Sequence, residues 1–117
     1  MYTIVKSNRR QRYIGFVVKT LDKNLNKSEM LREIQRQCKY IFNKDCKEMG
    51  IRLIRFDGTA GILKCNHLEK ENAITLLQSI KKIGSKNVEI ATIATSGTIR
   101  SLVKKHMANF IAIYYRD

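Results

Sequence analysis

Apolar and polar residues alternate along the chain in two periods. Residues 12–19, RYIGFVVK, are β-branched and aromatic, and apolar on both sides for much of their length, which predicts a first strand. LDKNLNK is a turn. Ser28 is positioned to cap a helix in which Leu31, Ile34, Cys38, Ile41 and Phe42 recur at helical spacing, with the pattern reaching toward Gly50. Two short alternating runs, 51–56 and 62–65, flank Asp57-Gly58 and Gly61 and predict an antiparallel hairpin. Asn66 and Glu69 have capping-box spacing ahead of a helix carrying Ala73, Leu76, Leu77, Ile80 and Ile83 on one face, with Gly84 as its stop. Residues 87–95, NVEIATIAT, predict a fourth strand, broken by Ser96 and Gly97. A third helix, capped by Ser96, then places Ile99, Leu102, Val103 and Met107 on one side and Arg100 and Lys104 on the other. The closing FIAIYY is apolar and β-prone, which suits an edge strand, a packed tail or a partner-binding segment equally.

The resulting βαββαβ order is that of an α/β sandwich of the α+β kind, RRM-like or ferredoxin-like. It has a four-stranded antiparallel sheet, the helices from Ser28 and Leu68 on one face, and an extra C-terminal helix. That fold serves enzymes, sensors and RNA binders alike, so function has to be argued from sites.

At 117 residues and 44% hydrophobic, the chain holds enough for one core. Residues 1–117 therefore read as a single RNA-binding RRM-like domain, with 1–11 a basic N-terminal segment and 108–117 a C-terminal tail. There are no internal repeats and no Gly/Ser/Pro-rich linkers. Lys and Arg number 23 against 10 Asp and Glu, a formal charge of +13, which calls for an anionic partner. A membrane surface is the rival anion, but a basic amphipathic helix or lipidation signal is not evident. The N-terminus has no apolar run suited to export or anchoring, so a cytoplasmic location is expected. Cys38, Cys46 and Cys65 form an odd set without a CxxC pair and read as free thiols, not as a disulfide framework or zinc knuckle.

Catalytic chemistry finds little support. His67 and His106 are distant in sequence and there is no GxSxG motif. Asp22, Asp57, Glu69 and Glu71 each have a duller use as turn residues or helix N-terminal charges. Cys65 and His67 lack the further ligands a metal needs. No catalytic residue, metal site or cofactor is expected in this chain. Tyr13 and Phe16 stand on the first strand, but GILKCNH on the third has no aromatic, which argues against base stacking on the open sheet. That face is expected to meet a protein or to be covered by the chain's own C-terminal helix and tail, with Phe16 in the core.

Basic residues gather in two places. Lys6, Arg9, Arg10, Arg12 and Lys19 occupy a twenty-residue stretch free of acids. Lys81, Lys82, Lys86, Arg100, Lys104 and Lys105 form the second set, interrupted by Glu89. SGTIR is the most specific feature. Small residues at a helix start expose N–H groups and hydroxyls to an approaching anion, with Arg100 beside them. The RNA-binding candidates are Arg9, Arg10, Arg12, Ser96, Gly97, Thr98, Arg100, Lys104 and Lys105.

RYIGF, GTAGILKCNH, AITLLQSIKKI and IATSGTIRSLVKK, from about Arg12 to Lys105, resemble the archaeal and eukaryotic protein subunit family of ribonuclease P and ribonuclease MRP. The resemblance implies an RRM-like subunit that pairs with a TIM-barrel subunit, ribonuclease P protein component 3. It also implies a second copy of the chain within a heterotetramer. Such a subunit supports the ribonuclease P RNA, which itself removes the 5′ leader of precursor tRNA with Mg2+ at the RNA. Arg12, Tyr13 and Phe16 match the family's first strand. Gly58, Gly61 and Ile62 match its hairpin, and Ser96, Gly97, Thr98, Ile99 and Arg100 its last-helix start. The chain departs in its proline-free N-terminus, in Lys64 where an arginine is common, and in the tail after His106. A ligand-sensing ferredoxin-like regulatory domain would be near neutral, and an acyl-phosphate hydrolase would need a Gly-rich loop at the first strand. The +13 charge argues against both; the ferredoxin-like small-molecule-binding regulatory domain and another basic ribonucleoprotein subunit stand as the alternatives.

Overall fold

The central strand explains the architecture. In β1 (Gln11–Lys19), Ile14, Phe16 and Val18 point to one side and Tyr13 and Val17 to the other, so both faces of the strand have to be covered. The computed structural model describes residues 10–21 and 25–107. Expectations for Lys6, Arg9, Asp22 and the FIAIYY tail fall outside them. β1 lies between β3 (Ala60–Asn66) and β6 (Glu89–Ser96), antiparallel to both, and β2 (Arg52–Phe56) pairs with β3 to give the order β2-β3-β1-β6.

Helices α1 (Lys27–Phe42) and α2 (Lys70–Ser79) cover one face, as the apolar spacing predicts. Their Met30, Ile34, Cys38, Ala73, Leu76 and Leu77 interlock with Ile14, Phe16, Val18, Leu63, Cys65 and Ile90. The opposite face carries the C-terminal helix, α3 (Ile99–Leu102), continuing as a π-helical turn through Val103–Met107. Leu102, Val103 and Met107 close over Ala60 and Ile62, with Tyr13, Val17, Ile54, Ile93, Ala94 and Ile99 at the margin. The sheet is therefore covered on both faces, and the C-terminal helix does shield the open side.

Several element ends differ from the sequence reading. The cap of α1 is Asn26, not Ser28: its side chain accepts from the Glu29 N–H at 2.9 Å, and the Glu29 carboxylate accepts from the Asn26 N–H at 3.2 Å. This reciprocal pair places the helix start ahead of Ser28. Asn26→Ala is expected to cost about 1 kcal/mol, visible as a lowered midpoint in circular-dichroism melts, with Ser28→Ala close to neutral. α1 ends at Phe42, where left-handed Asn43 turns the chain, and does not run on toward Gly50. Asn66 makes no capping bond, since it remains paired in β3 and its amide packs against Gly50; a 3₁₀ turn at His67–Glu69 leads into α2.

Gly84 is not a helix stop. α2 ends at Ser79, and Gly84, with φ +65°, sits in the turn of a hairpin between β4 (Lys82–Ile83) and β5 (Lys86–Asn87). Ile80 and Ile83 are buried like helical residues but reach the core from extended backbone. In the β2–β3 turn, Asp57 accepts from the N–H groups of Thr59 and Ala60 at 2.9 and 2.8 Å, which is the turn role expected of it.

Candidate nucleic-acid interface

Strand register assembles the candidate site. Tyr13 of β1 pairs with Ser96 of β6, so Arg12 and Gly97 come to the same end of the sheet although most of the chain separates them in sequence. The Arg12 guanidinium donates to the Gln11 carbonyl at 2.9 Å, and its Nη1 lies 3.9 Å from where a side chain on Gly97 would begin. Glycine thus leaves the cation next to the entry of α3.

Strand β6 runs through Ser96, so the cap of α3 is Thr98 and not Ser96. Thr98 is extended, with φ −140°, and its Oγ1 accepts from the Ser101 N–H at 3.1 Å, while its own N–H donates to Ser96 Oγ at 3.4 Å. The N–H of Leu102 closes the first helical turn onto the Thr98 carbonyl at 3.2 Å. Ile99 and Arg100 therefore carry the N–H groups at this helix start that no side chain caps. Arg100 is exposed in the first turn, where a cation opposes the helix dipole unless an anion sits between them. Lys104 and Lys105 follow on the exposed side of the same segment. Arg10 is also exposed, its carbonyl accepting from the His67 N–H at 3.0 Å beside the end of β3.

The structure thus brings Arg12, Ser96, Gly97, Thr98 and Arg100 together, with Arg10, Lys104 and Lys105 extending from them. It also divides the second basic set. Lys86 pairs with Glu29 at 3.2 Å, while Lys81 and Lys82 belong to the β4–β5 segment. Two cations that the sequence reading left out join this end of the sheet: Arg52 pairs with Lys64, and Lys64 with Tyr13. The only signal for them in the sequence was Lys64 standing where an arginine is common.

Other reactive groups have local uses. Cys38 and Cys46 place their sulfurs 3.1 Å apart, and burial pushes Cys38 up to about 12 and Cys65 up to about 11, so both thiols stay protonated at neutral pH. Glu69 accepts from Asn72 at 2.9 Å and Glu71 lies 3.8 Å from Lys70. Among the described residues no three His, Cys, Asp or Glu side chains converge to hold a metal ion, and no helix is long and apolar enough to cross a membrane.

Comparison with known proteins shows the family and the fold. The family model described as Rpp14/Pop5 matches residues 12–107. Ribonuclease P protein component 2 of Archaeoglobus fulgidus is 26% identical over 98 residues, covering 84% of this chain and 89% of the relative. The protein of the same name from Methanosarcina barkeri is 21% identical over 101 residues, covering 86% and 74%. A chain in the cryo-EM structure of yeast ribonuclease MRP superposes with a TM-score of 0.61 at 12% identity, covering 79% of this chain and 77% of that one, a likeness of fold.

Proposed function

Because the chain belongs to the Rpp14/Pop5 family of ribonuclease P protein subunits, we propose that it is the RNA-binding protein that holds ribonuclease P RNA in its working form during removal of the 5′ leader from precursor tRNA. The observation that carries this reading is the meeting of Arg12 with the Gly97–Arg100 helix start, produced by the pairing of the first and last strands. The N–H groups of Ile99 and Arg100, the Ser96 and Thr98 hydroxyls and the two guanidiniums supply donors and positive charge for one phosphate and its neighbour. Lys104 and Lys105 continue the cationic surface along the helix, and Arg10 extends it from the other side. Contacts of this kind fix the position of an RNA and carry little base information.

The cleavage chemistry, with its Mg2+, belongs to the RNA in this reading, and the chain contributes no cofactor. Its protein partners are ribonuclease P component 3 and a second copy of itself, precursor tRNA is reached through the assembly, and the complex works in the cytoplasm. Reconstitution tests the proposal. RNA, component 3 and this chain together should cleave the 5′ leader faster than RNA with component 3 alone, while the protein without RNA should not cleave. Sustained cleavage by RNA-free protein would refute it.

A further inference from the structure

The register places four side chains in one line across all four strands of the main sheet: Arg52 on β2, Lys64 on β3, Tyr13 on β1 and Ser96 on β6. Directly paired residues share a face, and Tyr13 packs with the C-terminal helix, so the line lies on the face that carries that helix. Leu102, Val103 and Met107 close over Ala60 and Ile62 but leave Arg52 exposed and Lys64, Tyr13 and Ser96 half-buried. The line spans about 14 Å at the usual strand spacing.

Its charge is unbalanced. Like charges directly opposite one another destabilise a sheet. Among the described residues neither Arg52 nor Lys64 has an acidic partner. At the other end of the sheet Lys19 faces Glu89 across β1 and β6, so the imbalance is local. Arg52 and Lys64 also line a groove of about 640 Å³ at the β2 edge, with Lys27, Lys47 and Gln35 around them and no acid in its walls. The Lys27 ammonium is fixed there by the Ile54 carbonyl at 3.2 Å.

We propose that this line is a track for the phosphate backbone of RNA, leading from the cationic groove at the β2 edge, over Lys64 and Tyr13, to the Ser96–Arg100 helix start. The inference rests on the RNA-binding reading above and extends it to a surface on the opposite edge of the sheet. Complementary charge selects the occupant: two adjacent cations followed by two hydroxyl side chains, in a line that opens into an acid-free groove, fit a polyanionic strand. Tyr13 offers its hydroxyl in the middle of the line, and Ser96 delivers the strand to the phosphate site at α3.

The test is a salt titration of the affinity of the full chain for ribonuclease P RNA, comparing wild type, the Arg52→Ala/Lys64→Ala double variant and Lys82→Ala. Loss of two phosphate contacts should lower the slope of log affinity against log salt by roughly 1.4 to 1.8 and weaken low-salt binding roughly tenfold or more, with Lys82→Ala unchanged. The double variant should melt no earlier than wild type, because it relieves a like-charge pair; if it does melt early, Arg52→Gln and Lys64→Gln, which keep the aliphatic stems, replace it. A wild-type slope retained by the double variant overturns the track while leaving the helix-start site standing. Weakened binding to anionic-lipid vesicles with unchanged RNA binding also overturns it. Wild-type protein without salt-dependent RNA affinity overturns the RNA-binding reading as well.

Discussion

Phe16→Ala should destabilise the chain by about 3 to 5 kcal/mol, the range for removing a fully buried phenyl ring. Phe16 is wholly buried on the central strand, and its ring stacks on Phe56 with centroids 6.1 Å apart and planes 19° from parallel. It also fills the space that Gly61 leaves free, with Cζ 2.5 Å from where a Cβ on Gly61 would lie. The truncation removes the transfer contribution of the ring, opens a cavity among β1, β2 and β3, and breaks an aromatic pair worth about 0.5 to 1.5 kcal/mol. A small domain has about 5 to 15 kcal/mol in total, so the variant should be partly unfolded near physiological temperature. Urea denaturation provides the measurement, with a lowered midpoint at unchanged slope expected. A loss below about 1.5 kcal/mol would show that the core refills the space and that Phe16 is not its centre.

Arg12→Ala combined with Arg100→Ala should weaken binding to ribonuclease P RNA by about 2 to 5 kcal/mol. Each guanidinium in a desolvated phosphate contact contributes about 1 to 3 kcal/mol, and neighbours sharing one phosphate are not expected to add fully. Both residues border the Gly97 turn, Arg12 through its Nη1 and Arg100 from the first turn of α3. The salt slope should fall by roughly 1.4 to 1.8 if each holds one phosphate. Binding to component 3 should survive. Lys19→Ala is the matching control, because Lys19 ends the same strand at the opposite edge of the molecule, facing Glu89. If all three proteins show the same slope, the cluster is a solvated helix end with no RNA on it.

The strands were legible in the sequence because β-branched residues concentrate in β1 and β6 and because Asp57-Gly58 marks the turn between β2 and β3. The two-helix face was legible because Ile34 and Cys38 in α1, and Ala73, Leu76 and Leu77 in α2, keep helical spacing. Element ends were harder to read. Asn26, Ser28 and Asn66 are all acceptable caps by type; Asn26 displaces Ser28 through its reciprocal bonds with Glu29, and Asn66 is held in β3. The β4–β5 hairpin was hidden because Ile80 and Ile83 continue the helical period while serving the core from extended backbone. The helix-start motif stood out locally as SGTIR, yet its neighbour Arg12 is set by the β1–β6 pairing, which no local window contains. Arg52 and Lys64 were missed for the same reason, since their adjacency is a property of register. Lys86 shows the converse, a basic residue in the predicted cluster that folding assigns to Glu29.

The position of β1 also governs when this molecule can fold. It is made first but lies in the middle of the sheet, and its two hydrogen-bonding neighbours, Ala60–Asn66 and Glu89–Ser96, come from the second half of the chain. At ribosomal speeds the nascent chain must carry Ile14, Phe16 and Val18 for several seconds, on the order of 4 to 16, before β6 is synthesised. Pairings of such long sequence separation make the sheet slow to close compared with a helical bundle of similar size. The strong positive charge of the chain, +13 over these 117 residues, keeps copies apart during that interval. The excess of positive charge therefore also acts early, as protection against aggregation while the centre of the sheet waits for its neighbours.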